Sequence, residues 1–228
     1  MSLQRCTIWS RQNLNAERLS TAFAEAGILL HLDTSVIHTG VHQPNTPEIW
    51  QSVIDAFPKH AFSGEAKWCF HGENKAQLKG TLTWPIVNPG DIPATIEFSF
   101  AWDSYKSKRY QFRDASLLVK VIHALSESVS ATSLVVEPER LPLDLADMRF
   151  QRFKKMHGEL SLTNVDWVFG LRVDDAQNKR LQMSGIEFAA IESKRGFAVY
   201  ALTKSPLDYD SPEDMKRLHA LEMAIGLL

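Results

Sequence analysis

The chain has 228 residues, 44% hydrophobic, 23% charged and 10% aromatic, a composition apolar enough for a packed core and unlike that of disordered chains. Its formal charge is −2, and residues 1–114 carry eleven charges of each sign, so neither half is the basic arm a general duplex binder uses to displace counterions. Two cysteines, Cys6 and Cys69, are too few for a disulfide scaffold and lack metal-knuckle spacing.

The first residues, MSLQRCTIWSRQNL, contain no apolar run of signal-peptide length, and no stretch approaches the ~20 apolar residues of a membrane span. A cytoplasmic protein with reduced thiols is expected. Residues 14–26 read as a helix, with Leu19, Phe23 and Ala26 on one face and Gly27 as its stop. A second helix opens on Thr46 and Pro47, carries Ile49, Trp50, Val53, Ile54 and Phe57, and ends at Pro58. The segment between them, HLDTSVIHTGVHQPN, reads as an irregular connection.

Three strands are expected next. Trp68 and Phe70 alternate with polar neighbours, as do Leu82 and Trp84, and then Ile96, Phe98, Phe100 and Trp102. The turn signals HGENK and NPGD separate them. Asp114 then caps a helix whose stripe is Leu117, Leu118, Val121, Ile122 and Leu125. A short strand at 133–136, a loop from 137 and a short helix around 146–156 follow.

In the last third, Trp167, Phe169, Leu171 and Val173 alternate as a strand. A hairpin pairs 186–192 with 197–203, and its turn, Ser193 to Gly196, puts glycine where a positive φ is needed. Ser211, Pro212 and Asp214 open a final helix with a capping-box pattern, and Met215, Leu218, Leu221 and Ile225 face its core. The predicted class is α+β: antiparallel strands with helices on one side. Residues 1–228 read as one domain or as two packed α/β halves, about 1–131 and 132–228. One sheet and two sheets both satisfy the pattern.

Catalytic signatures are sparse. His31, His38 and His42 lie close together, but their spacing fits neither a helical i, i+4 pair nor a metalloprotease motif. Two His-Gly-Glu tripeptides, at 71–73 and 157–159, stand where strands and helices end. There is no Gly-x-Ser-x-Gly elbow and no Gly-rich phosphate loop. No catalytic residue, metal or cofactor is expected, although a hydrolase assembled from distant residues stays compatible with the sequence.

Two charged surfaces stand out instead. Lys106, Lys108, Arg109 and Arg113 interleave with Tyr105, Tyr110 and Phe112, a mix suited to tracking a single-stranded backbone and stacking bases. A second basic stretch contains Arg149, Arg152, Lys154 and Lys155. Asp174 and Asp175 close a strand, and Asp208, Asp210, Glu213 and Asp214 cluster about the start of the last helix. Acids inside a helix's first turn favour its dipole, but Asp208 and Asp210 precede it. An exposed acidic surface suits a basic partner and speeds encounter with it.

From Val165-Asp-Trp-Val-Phe-Gly170, through Val199-Tyr-Ala-Leu-Thr-Lys-Ser-Pro206 and Leu207-Asp-Tyr-Asp-Ser-Pro-Glu213, to Ile225-Gly-Leu-Leu228, the last third resembles the immunity protein 52 family of bacterial polymorphic-toxin systems. That resemblance implies a cytosolic antitoxin paired with a secreted toxin, often a nuclease of restriction-endonuclease type delivered by contact-dependent or type VI secretion. Such a protein binds and occludes its toxin without a reaction of its own, touching neither membrane nor nucleic acid. The expected toxin-binding surface combines Asp174, Asp175, Asp208, Tyr209 and Asp210. The rival reading is a nucleic-acid-binding module using Tyr105–Arg113.

Overall fold

The computed structural model describes residues 2–10, 15–25, 31–34, 46–55, 63–71, 77–85, 94–102, 114–156, 162–194 and 196–228. In chain order the first elements are β1 (Ser2–Ser10), α1 (Ala16–Glu25), β2 (His31–Thr34) and α2 (Pro47–Asp55). A meander follows: β3 (Ser63–His71), β4 (Gln77–Pro85) and β5 (Ala94–Trp102). Then come α3 (Ala115–Ser128), β6 (Ala131–Pro138), α4 (Leu143–Met156) and β7 (Val168–Arg172). The chain ends with α5 (Ala176–Met183), β8 (Ala190–Lys194), β9 (Phe197–Ala201) and α6 (Pro212–Ala224).

Among the described residues, nine strands form one sheet in the order β2-β3-β4-β5-β1-β6-β7-β9-β8, and every neighbouring pair is antiparallel. The α+β class expected from the sequence is what the chain adopts. β1, which the sequence did not announce as a strand, is central: it pairs β5 on one side and β6 on the other, so it joins the strands of the two halves.

Helices flank both faces, which corrects the one-sided arrangement expected from the sequence. Cross-strand pairing puts Thr7, Val135, Phe169 and Tyr200 on one face and Ile8, Leu134, Gly170 and Val199 on the other. On the first face Tyr200 donates its hydroxyl hydrogen to Asn178 of α5 at 2.7 Å and stacks on Phe169. On the second, Glu192 of β8 lies in the field of Lys120 and His123 of α3. His123 also puts its Nε2 3.1 Å from the Phe197 carbonyl oxygen.

The local reasons follow the sequence closely. Asp114 caps α3 by accepting the Ser116 N–H, and Leu118, Val121, Ile122 and Leu125 are buried. Leu117 is exposed, so the stripe is narrower than expected. Ser211 caps α6 with Pro212 in its first turn, and Gly226 ends it at a φ of +78°. Gly196 has φ +96° in the β8–β9 turn, the conformation expected for it. Gly170 is needed for a different reason: a Cβ there would lie 2.8 Å from the Phe197 ring and 2.9 Å from Leu134 Cγ. No helix among the described residues is long and apolar enough to cross a membrane.

Candidate functional site

The five residues expected to bind a partner fall into two separate groups. Asp174 lies in the turn after β7, exposed, and its carboxylate pairs with Arg172 at 2.9 Å. The Arg172 donor holds the Asp174 carboxyl below its ordinary pKa. Asp175 is the N-cap of α5 and accepts the Gln177 N–H at 2.8 Å. Gln177 in turn reaches the Ile225 carbonyl beyond the end of α6. Asp208, Tyr209 and Asp210 precede the start of that same 13-residue helix, about 20 Å away along its axis. The structure does not bring the two groups together.

The turn before α6 is tightly built. The Asp208 N–H donates to Asp214 Oδ2 at 3.0 Å, the Asp210 N–H to Asp208 Oδ1 at 3.0 Å, and the Ser211 N–H to the Asp208 carbonyl at 3.0 Å. Ser211 Oγ accepts the Asp214 N–H, one half of the capping box read from the sequence. The return bond goes to Asp208 instead of Ser211, which ties the approach segment to the helix. The carboxylates of Asp208, Asp210 and Glu213 remain on exposed residues.

Tyr209 is half-buried, and its hydroxyl donates to Asp166 Oδ2. Asp166 is fully buried at the entry to β7, where it also accepts from Arg149 Nη2 at 2.8 Å and from the Trp167 N–H at 2.7 Å. Arg149, on α4, donates further to Glu137 at 2.9 Å and to the Val165 carbonyl at 2.8 Å. Glu137 takes a second arginine, Arg5 of β1, at 2.8 Å. A chain of charges thus runs from the central strand to the acidic turn.

Burial pushes the Asp166 carboxyl above its ordinary pKa, and Arg149, Tyr209 and the Trp167 amide pull against that push. Burial also raises the Tyr209 phenol, and the Asp166 charge raises it further, so Tyr209 is the neutral donor of the pair. For Arg149, burial opposes the charge, but the Asp166 and Glu137 carboxylates more than restore it.

Arg149 and Arg152 are therefore not the exposed basic stretch the sequence suggested. Arg152 is buried in a 2.7 Å ion pair with Glu222 of α6. Lys154 and Lys155 alone keep the exposed character of that stretch, and Lys154 Nζ lies 4.4 Å from the centre of the Phe150 ring.

Beside the acidic turn a groove of about 650 Å3 runs between residues 186–189, residues 202–205 and α6. Ile186, Phe188 and Leu202 supply apolar walls, and Lys204, Asp214 and Arg217 its polar rim. Asp214 is shared between groove and turn, so the two form one surface.

The remaining candidates hold less. His31 lies in β2, opposite His71 of β3, while His38, His42, the basic and aromatic run 105–113 and both Gly-Glu pairs at 72–73 and 158–159 lie outside the described residues. Among the described residues, no group of three or more His, Cys, Asp or Glu is placed to hold a metal ion. Cys6 is a buried free thiol, its pKa pushed well up by that burial. No protein-family model matches the chain, and no curated protein matches it either.

Proposed function

We propose that this chain is a cytoplasmic immunity protein that binds a cognate secreted bacterial toxin of nuclease class and neutralises it by occlusion, without turnover of its own. The observation that carries the reading is the turn from Asp208 to Asp214. It exposes Asp208, Asp210 and Glu213 on a backbone fixed by three hydrogen bonds, with Tyr209 seated on the buried Asp166. A surface already rigid before contact loses little entropy on binding. Its carboxylates complement the basic groups with which a nuclease holds phosphate, and the half-exposed Tyr209, near a groove with both apolar and charged walls, suits an interface anchor.

The resemblance of the last third to the immunity protein 52 family supports the same reading, because the acidic Pro-containing turn lies within it. Asp174 and Asp175, near the far end of α6, lie apart from this turn.

The test is rapid mixing of the protein with the cognate toxin that this reading requires, sought in the adjacent reading frame and made inactive for safety. Asp208→Lys with Asp210→Lys slows association on the order of tenfold and flattens its dependence on ionic strength. Unchanged association kinetics in the doubly reversed protein refute this surface.

A further inference from the structure

We propose that His123 is a pH-sensitive latch on the β8–β9 hairpin: its neutral ring holds the Lys194 N–H, and its protonated ring donates to the Phe197 carbonyl instead. α3 lies across both strands, and His123, 5% exposed, meets them where the chain turns. Its Nε2 lies 3.1 Å from the Phe197 carbonyl oxygen and 3.3 Å from the Lys194 nitrogen, whose N–H is directed at it. Lys194 and Phe197 face each other across the turn. A ring nitrogen either carries a hydrogen and donates, or lacks one and accepts. Nε2 therefore serves one of its two neighbours at a time.

The neutral ring keeps its hydrogen on Nδ1, because a hydrogen on Nε2 would meet the Lys194 N–H head-on. Adding a proton fills Nε2, ends the bond from Lys194 and replaces it with a charge-assisted bond to Phe197. The charges about the ring oppose one another. Glu192 of β8 lies in the field of His123 and favours its charged form, although Lys194 Nζ already pairs with that carboxylate at 2.6 Å. Lys120 of α3, in the field of the same carboxylate, opposes a second cation there. Glu127 stands one turn further along α3, and Arg172 of β7, opposite Phe197, is paired with Asp174. The hairpin tip also has room to respond, since Gly196 and Phe197 wall a cavity of about 590 Å3 shared with α1 and the α3–β6 turn. A second tie, from the Val173 N–H to the Gly196 carbonyl at 2.9 Å, involves no titrating group. Acid thus releases the tip on its α3 side and leaves it held by β7. The latch requires nothing of the toxin-binding reading.

Magnetic resonance of the full chain from about pH 8 to about pH 5, the range in which imidazoles change charge, reads both partners. The nitrogen shift of His123 Nε2 moves from that of a bare ring nitrogen to that of a protonated one. With the same midpoint, the hydrogen-exchange protection factor of the Lys194 amide falls roughly three- to tenfold, the worth of one ordinary hydrogen bond. His123→Gln, which offers a donor and an acceptor but does not titrate, makes that protection independent of pH. His123→Phe leaves it low throughout. Circular dichroism of each protein separates release of the latch from loss of fold. A ring that already carries its hydrogen on Nε2 at the alkaline end overturns the latch, as does a Lys194 amide indifferent to the titrating ring. So does a ring that takes no proton before the fold is lost, or a glutamine variant that keeps the native pH dependence.

Discussion

Replacing Arg149 by methionine removes the cation at the centre of the buried charge chain while keeping most of the side-chain volume. Arg149 is 4% exposed and donates to Asp166, to Glu137 and to the Val165 carbonyl. Glu137 keeps Arg5, and Asp166 keeps Tyr209 and the Trp167 amide, but Asp166 is left as a fully buried carboxylate with no cation on it. Losing one partner of a buried pair costs about 3–5 kcal/mol, because the other charge stays desolvated. In a chain of this size each kcal/mol lowers Tm by roughly 2–4 °C, so a fall of about 6–20 °C is expected. Urea titration followed by tryptophan fluorescence measures the loss, since Trp167 lies next to the replaced contact. Adding Asp166→Asn should recover about 1–3 kcal/mol of it, the coupling expected of groups in direct contact. A loss below about 1 kcal/mol, or strict additivity of the two changes, would show that the chain of charges does not hold α4 to the sheet.

Gly170→Ala places a methyl 2.8 Å from Phe197, 2.9 Å from Leu134 and 3.0 Å from the Ala198 carbonyl, a backbone atom that cannot step aside. Destabilisation of about 1–3 kcal/mol is expected in the same urea titration, and a neutral result would mean that β9 shifts freely. Ser211→Ala removes the α6 N-cap and should cost about 1 kcal/mol, with faster amide exchange at Asp214, whose N–H it accepts.

Much of the fold was legible because its apolar residues keep time with one element. The 94–102 strand, the Asp114-capped helix, the glycine turn at 196 and the Ser211 helix start all appear where the pattern puts them. β1 escaped because its alternation is inverted at the end: Gln4 is buried, accepting the Trp167 indole N–H at 2.9 Å, while Leu3 is exposed. α5 escaped because its buried residues include Gln177 and Asn178, polar side chains satisfied by backbone carbonyls and by Tyr200, so no apolar stripe marks it. α4 begins at Leu143, three residues before its apolar spacing was read, and the short helix is a long one.

The site was half legible for the same reason. Composition shows where acids accumulate, and it drew both acidic groups into one expected surface. It cannot show that Asp174 and Asp175 leave β7 at one end while Tyr209 packs at the other, because that depends on strand direction. The buried partners of Arg149 were hidden as well, since an arginine in a helix reads as solvated until the carboxylate waiting for it is seen. Asp166 beside Trp167, a charge at the mouth of an apolar strand, was the one available hint.

The most direct test of the proposed stoichiometric neutralisation is a titration, with this protein, of the active cognate toxin that the proposal requires, sought in the adjacent reading frame, scored by cleavage of its nucleic acid. Activity should fall linearly to zero at one equivalent, and the protein reversed at Asp208 and Asp210 should need a large excess. Residual cleavage at several equivalents of the native protein, or full inhibition at a small fraction of one, would contradict the account.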